Sequence, residues 1–320
     1  MTEKFTHGYA LLIGVGESRY QPWSLPVTVK DTQAIYAALI DPQLCAYPDQ
    51  KEHIRVLNNQ DATKAGILDG LNWLKEKSTS DPHATILIYY SGHGGLKKQK
   101  YYLLQHDIKP MRIEESALSA ETFTEALRQI KAERLLVVID SCHAAGMATS
   151  KEADLEFDEE FGDFTRVAPS KGLIDELKQG KGRVVFTSSA GEQKSWIKDK
   201  TISIYTYHFL EALQGAGNKP GDTEVRVSNI MNYLGKAVPE TVRQLYNMEQ
   251  VPQNDMTGGD FVIAKLLGGK GLPEKGWQEV KPEAAQKINK IADNITQYAQ
   301  QINNINEANG SHFGNVINKS

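Results

Sequence analysis

Cysteine is nearly absent: Cys45 and Cys142 are the only two in 320 residues. That is too few for the disulfide framework of a secreted scaffold, and it fits a reducing compartment. No run of about 18 uninterrupted apolar residues occurs, so no membrane span is expected. The opening "MTEKFTHGYALLIGVG" lacks the basic preamble and cleavage site of a signal peptide. Charge excess is missing too: 36 Lys and Arg stand against 40 Asp and Glu, a formal net charge of −4. No global basic field points to nucleic acid. The expectation is a soluble cytoplasmic protein that binds neither nucleic acid nor membrane. Its 40% hydrophobic content allows a substantial core, in one large domain with an appendage or two modest domains.

What is present is an alternation of strand-like and helix-like segments. Continuous apolar runs read as strands at Tyr9–Val15, Ile54–Leu57, Ala84–Tyr90, Arg134–Asp140 and Arg183–Ser189. Helical spacing covers Asp31–Ile40, with Asp31 as a cap, Thr63–Lys77, Glu121–Ile130, Tyr205–Gln214 and Val227–Tyr246. Strands without in–out alternation predict an α/β fold with a mostly parallel central sheet and helices on both faces. In such folds ligands bind beyond the carboxyl ends of the strands.

Two stretches break the pattern. Residues 151–183 carry a run of acidic and then basic side chains and read as a long exposed excursion. "GGKGLPEKG", Gly268–Gly276, reads as a flexible connector. Beyond it, Ile288, Ile291, Ile295, Tyr298, Ile302 and Ile305 step by three and four. Such a stripe either docks on its own domain or binds another protein or a second copy.

The chemistry gathers at two strand ends. "LIYYSGHGG" stops at His93 among glycines, and "VVIDSCHAAG" delivers Asp140, Ser141, Cys142 and His143. A buried cysteine is usually a small hydrophobe, which suits Cys45; the polar flanks of Cys142 suit a nucleophile better. His143 follows Cys142 directly, and successive residues of an extended chain point apart, so His93 is the better base. Backbone N–H groups of Gly94 and Cys142 could form an oxyanion hole, with the glycines letting the backbone approach a substrate closely. Gly14-Val15-Gly16 also follows a strand, but no third glycine completes a dinucleotide fingerprint.

"YYSGHGG" followed by "VVIDSCHAAG" resembles the catalytic pair of caspase-like cysteine peptidases, closest to the metacaspase and orthocaspase branch. The resemblance covers roughly residues 8–265, including "TSSAGEQKSW" and "IYTYHFLEAL". It implies a caspase-like domain over 1–267. Within that domain 1–150 is the large-subunit part, 151–183 a processing loop and 184–267 the small-subunit part, followed by a linker (268–281) and a helical tail (282–320). It implies that His93 is the base and Cys142 the nucleophile. The family's basic-residue pocket maps onto Asp31, Asp140, Ser91 and Thr28, so peptides cut after Arg or Lys are the implied substrates. Two carboxylates at a pocket floor would favour a guanidinium and reject an acidic side chain.

The resemblance also implies a regulated stress or defence role, and self-cleavage after Arg166, Lys171 or Lys178. An activating or associating protein could dock through 282–320. Calcium-dependent relatives bind the ion through aspartates; Asp107, Glu114 and Glu115 fall near two such positions, but Thr149 stands where another would be needed. The expectation is that no cofactor is required, with calcium the one candidate. The competing reading is a catalytically weak caspase-like scaffold that docks through its C-terminal helix.

Overall fold

Apolar runs without alternation become the interior of one sheet. The computed structural model describes residues 4–141, 164–177, 182–191, 193–198, 201–256 and 259–293. The first half contains β1 (Gly8–Gly14), α1 (Val27–Ile40), β2 (Ile54–Asn58), α2 (Lys64–Ser80) and β3 (Thr85–Gly92). The short strands β4 (Gly94–Lys97), β5 (Lys100–Leu103) and β6 (Leu118–Ser119) follow, then α3 (Ala120–Arg128) and β7 (Arg134–Ser141). The second half begins with β8 (Phe164–Arg166), α4 (Lys171–Leu177), β9 (Arg183–Thr187), β10 (Ile197–Lys198) and β11 (Ile202–Ser203). It ends with α5 (Ile204–Leu213), β12 (Glu224–Arg226), α6 (Val227–Tyr246), β13 (Gln253–Asp255), β14 (Val262–Lys265) and α7 (Trp277–Asp293).

The main sheet has the order β13-β9-β7-β3-β1-β2. Only β13, at one edge, runs antiparallel to its neighbour. This is the α/β, mostly parallel architecture that the apolar runs imply. The period-2 alternation of strands sorts the core into two layers. Leu87, Tyr89, Leu136 and Val138 meet α1, α5, α6 and α7 on one face. Ile86, Ile88, Tyr90, Leu135, Val137 and Ile139 meet α2, α3 and α4 on the other. Each fully buried Leu or Ile in these layers contributes about 1.5–3 kcal/mol. A second, antiparallel sheet in the order β6-β5-β4-β8 lies beyond the end of β3.

Three sequence expectations change. Asp31 does not cap α1: the helix begins at Val27, behind Pro26, and Asp31 lies inside it, fully buried. The β-branched Val27, Thr28 and Val29 weaken the helical signal of that first turn. The excursion 151–183 is not exposed throughout. Its described part pairs β8 with β4 and buries Phe164, Leu173, Ile174 and Leu177.

The glycine-rich 268–276 stretch is pinned rather than loose. Gly268 N–H donates to the Leu44 carbonyl at 2.9 Å, and Leu272 is buried and exchanges backbone hydrogen bonds with Gly221 and Asp222. The first part of the C-terminal stripe then docks on its own domain, where Ile288 and Ile291 join the α1–α5 core. Ile295, Tyr298, Ile302 and Ile305 lie outside the described residues.

Candidate active site

Strand register assembles the site. Gly14 on β1 lies beside Ser91 on β3, and Ser91 lies beside Asp140 on β7. Ser91 and Asp140 therefore share the face that α1 and α5 cover, and Asp31 projects onto them from α1. The Ser91 hydroxyl donates to Asp31 at 3.0 Å. Ser203, which closes β11, ties the two carboxylates together. Its N–H donates to Asp31 at 2.9 Å and its hydroxyl donates to Asp140 at 2.6 Å. Ser195 donates to the other oxygen of Asp140 at 2.7 Å. Ser203 is also the N-cap of α5, accepting from the Thr206 N–H at 2.9 Å.

Both carboxylates are 0% exposed, as are Ser91, Ser195 and Ser203. Burying carboxylates is costly unless hydrogen-bond donors surround them, and these hydroxyls supply lone-pair partners without cancelling charge. Tyr89 registers the resulting potential. Burial first, then the charges of Asp31 and Asp140, push its phenol well above the ordinary tyrosine range. Tyr89 therefore stays protonated, with its hydroxyl 3.4 Å from Asp140 and 2.7 Å from the Thr206 hydroxyl.

His93 follows β3 two residues after Ser91 and is 4% exposed. Its carbonyl accepts from the Tyr90 hydroxyl at 2.7 Å and from the Leu104 N–H at 2.9 Å. These bonds fix the backbone at the position that carries the imidazole. The flanking glycines also have a packing role within the protein. A Cβ at Gly92 or Gly94 would meet the ring of Tyr90 or Tyr101, and one at Gly95 would meet Phe164 and the Thr165 carbonyl. The protein's own aromatic packing demands them. Gly94→Ala would strike the Tyr101 hydroxyl, which is 3.0 Å from the Ser141 hydroxyl on β7. The expected cost is about 1–3 kcal/mol, read as a lower urea midpoint at unchanged m-value.

Not every expected residue joins the site. Thr28 is buried one turn before Asp31, but its hydroxyl donates back to the Leu25 carbonyl at 3.0 Å. Cys142, His143, Thr149 and Lys178 lie outside the described residues. Arg166 is half-buried in β8, opposite Gly95, and Lys171 opens α4. The calcium candidates do not converge. Asp107 accepts from the Lys64 N–H at the start of α2, Glu114 pairs with Lys98, and Glu115 pairs with Arg112. Among the described residues no three acidic, His or Cys side chains are grouped to hold a metal, and no helix is long and apolar enough to cross a membrane.

Sequence reasoning singled out neither Ser195, Ser203 nor Tyr89. Ser203 had a readable signal as a serine directly before the helical "IYTYHFLEAL". Cys45, by contrast, is a core residue: burial and then Asp41 hold its thiol far above the ordinary range.

Residues 7–258 match the family model for the caspase domain (Peptidase_C14). No curated protein matches. Among solved structures, caspase-1 from Spodoptera frugiperda is similar at 12% identity and a TM-score of 0.49. The match covers 83% of this chain and 93% of that one.

Proposed function

The chain belongs to the caspase-domain family of cysteine peptidases, and from that premise we propose that it is an endopeptidase of the metacaspase and orthocaspase branch, cutting after Arg and less readily after Lys. One observation carries the specificity: Asp31 and Asp140 converge on Ser203, and the Ser91 hydroxyl also donates to Asp31. Arg suits such a pair because its planar fork can donate to two carboxylates at once, whereas Lys offers a point charge.

In the proposed reaction His93 takes the proton of the Cys142 thiol, and the thiolate attacks the scissile carbonyl. Backbone N–H groups of Gly94 and Cys142 receive the developing oxyanion. His93 returns the proton to the leaving amine, and water then hydrolyses the thioester. The carboxylates are fully buried, so a guanidinium adds its donors at their remaining lone pairs while Ser195 and Ser203 hold them in place. Thr28 lies one turn before Asp31 on α1, with its hydroxyl committed to the Leu25 carbonyl.

No metal is assigned a step, since Asp107, Glu114 and Glu115 are each engaged by protein partners. Turnover of an Arg-ended fluorogenic peptide is expected to persist in excess EGTA. A loss restored by calcium would reverse that assignment.

Self-processing within 151–183, after Arg166, Lys171 or Lys178, belongs to the same proposal. Peptidases act on extended, unpaired chain. Cutting after Arg166 requires β8 to leave β4, and cutting after Lys171 requires α4 to unwind. The Arg166→Gln, Lys171→Gln double variant is expected to process at an unchanged rate through Lys178. Intact-mass spectrometry, with Cys142→Ala as the uncut control, reads the result. An uncut double variant would place the cut in β8 or α4 instead.

A further inference from the structure

α7 follows the residues that the caspase-domain model covers, 7–258, yet it is built into the same core. It runs antiparallel along α1 and α5. Near its start, Val280 and Ala284 line a cleft with Gln43, past the end of α1, and Gln214, past the end of α5. Near its end, Ile288 and Ala292 line a second cleft, of about 220 Å³, with Ile202 and Tyr207. Ile202 belongs to β11 and Tyr207 to the first turns of α5.

These are the elements that assemble the carboxylate pair. α1 carries Asp31, and β11 ends at Ser203, which bonds both Asp31 and Asp140. The β10–β11 ladder is only two residue pairs long, Ile197 with Ser203 and Lys198 with Ile202. So short a hairpin cannot hold its own geometry; it leans on its neighbours. On one flank Tyr246 donates from its hydroxyl to the Ile197 carbonyl at 2.5 Å. On the other, β11 packs on α1 and α5, and α7 packs on the same two helices.

We infer that α7 is a positioning element for the substrate pocket: by bracing α1, α5 and β11 from behind, it holds Ser203 where it joins Asp31 to Asp140. The inference rests on reading those carboxylates as the substrate pocket. No residue of α7 touches the substrate. Its effect passes through Ser203, where a displacement of about 1 Å is enough to break a 2.6–2.9 Å hydrogen bond.

The test uses the full chain with Ile288→Ala and Ile291→Ala together. Leu71→Ala on α2, across the sheet, serves as a control that loses stability elsewhere. Hydrogen exchange of the peptide covering 201–206 is expected to accelerate about tenfold in the double variant and to stay unchanged in the control. The KM for an Arg-ended peptide is expected to rise about tenfold with kcat within about twofold, because the pocket and not the dyad is disturbed. Ala292→Leu, which fills the second cleft without emptying the core, is expected to slow exchange of 201–206. It carries the test should the double variant not fold.

Exchange at 201–206 that ignores all three α7 substitutions would overturn the inference, as would kcat falling with KM fixed. Altered exchange in a protein that cleaves no peptide would leave the bracing intact and remove the peptidase reading instead.

Discussion

Cys142→Ala and His93→Ala are each expected to lower kcat for an Arg-ended peptide by about 10,000-fold or more, the scale seen when a nucleophile or its base is removed. The double variant should be hardly worse than either single one, because the two groups act as a unit. His143→Ala is expected to keep most activity, since neighbours along extended chain point apart. The structure contributes one half of this argument. His93 sits at the carboxyl end of the sheet, with its backbone fixed by Tyr90 and Leu104. Cys142 follows directly after β7, the strand paired with β3, though it lies outside the described residues. Initial rates at saturating peptide, with circular dichroism to verify folding, check the claim. A His93→Ala variant with full activity and a dead His143→Ala would exchange their roles.

Asp140→Asn is the second large effect. Asparagine keeps the shape: its Oδ1 accepts from one of Ser195 and Ser203, and its Nδ2 donates to the other hydroxyl, which turns to accept, so the fold should survive while the charge is lost. Breaking one partner of a buried ion pair costs about 3–5 kcal/mol, which is roughly two to three and a half orders of magnitude in kcat/KM. That loss is expected for an Arg-ended peptide. A citrulline-ended peptide, the neutral isostere, should already be poor with wild-type protein and should change little in the variant. Equal losses for both peptides would mean that Asp140 supports the fold and does not read charge. Ser203→Ala removes one hydroxyl from Asp140 but keeps the N–H to Asp31, so its effect should be smaller, on the order of 1.5–3 kcal/mol.

The parts of this site that the sequence made legible are those at strand ends. Unbroken apolar runs located β3 and β7, and register then placed Ser91 beside Asp140. What failed has identifiable causes. Asp31 looked like a cap because Val27-Thr28-Val29 is β-branched and hides a first helical turn. Ser195 and Ser203 lie more than 50 positions beyond Asp140, one just before and one at the end of a hairpin whose strands are too short to show periodicity. The packing of Tyr90, Tyr101 and Phe164 against the glycines around His93 was not legible either, since these contacts are set by the tertiary fold. The stripe at Ile288 and Ile291 fitted docking at home or on a partner equally well, since periodicity gives a face but not what covers it.

The most direct measurement is kcat/KM for three fluorogenic peptides that differ only in the residue before the scissile bond: Arg, Lys or Asp. The account predicts Arg above Lys, no measurable turnover of Asp, and none of any peptide with Cys142→Ala. Preference for Asp would contradict the carboxylate pocket. A folded wild-type protein that turns over none of the three would leave a caspase-fold interaction module in place of a peptidase.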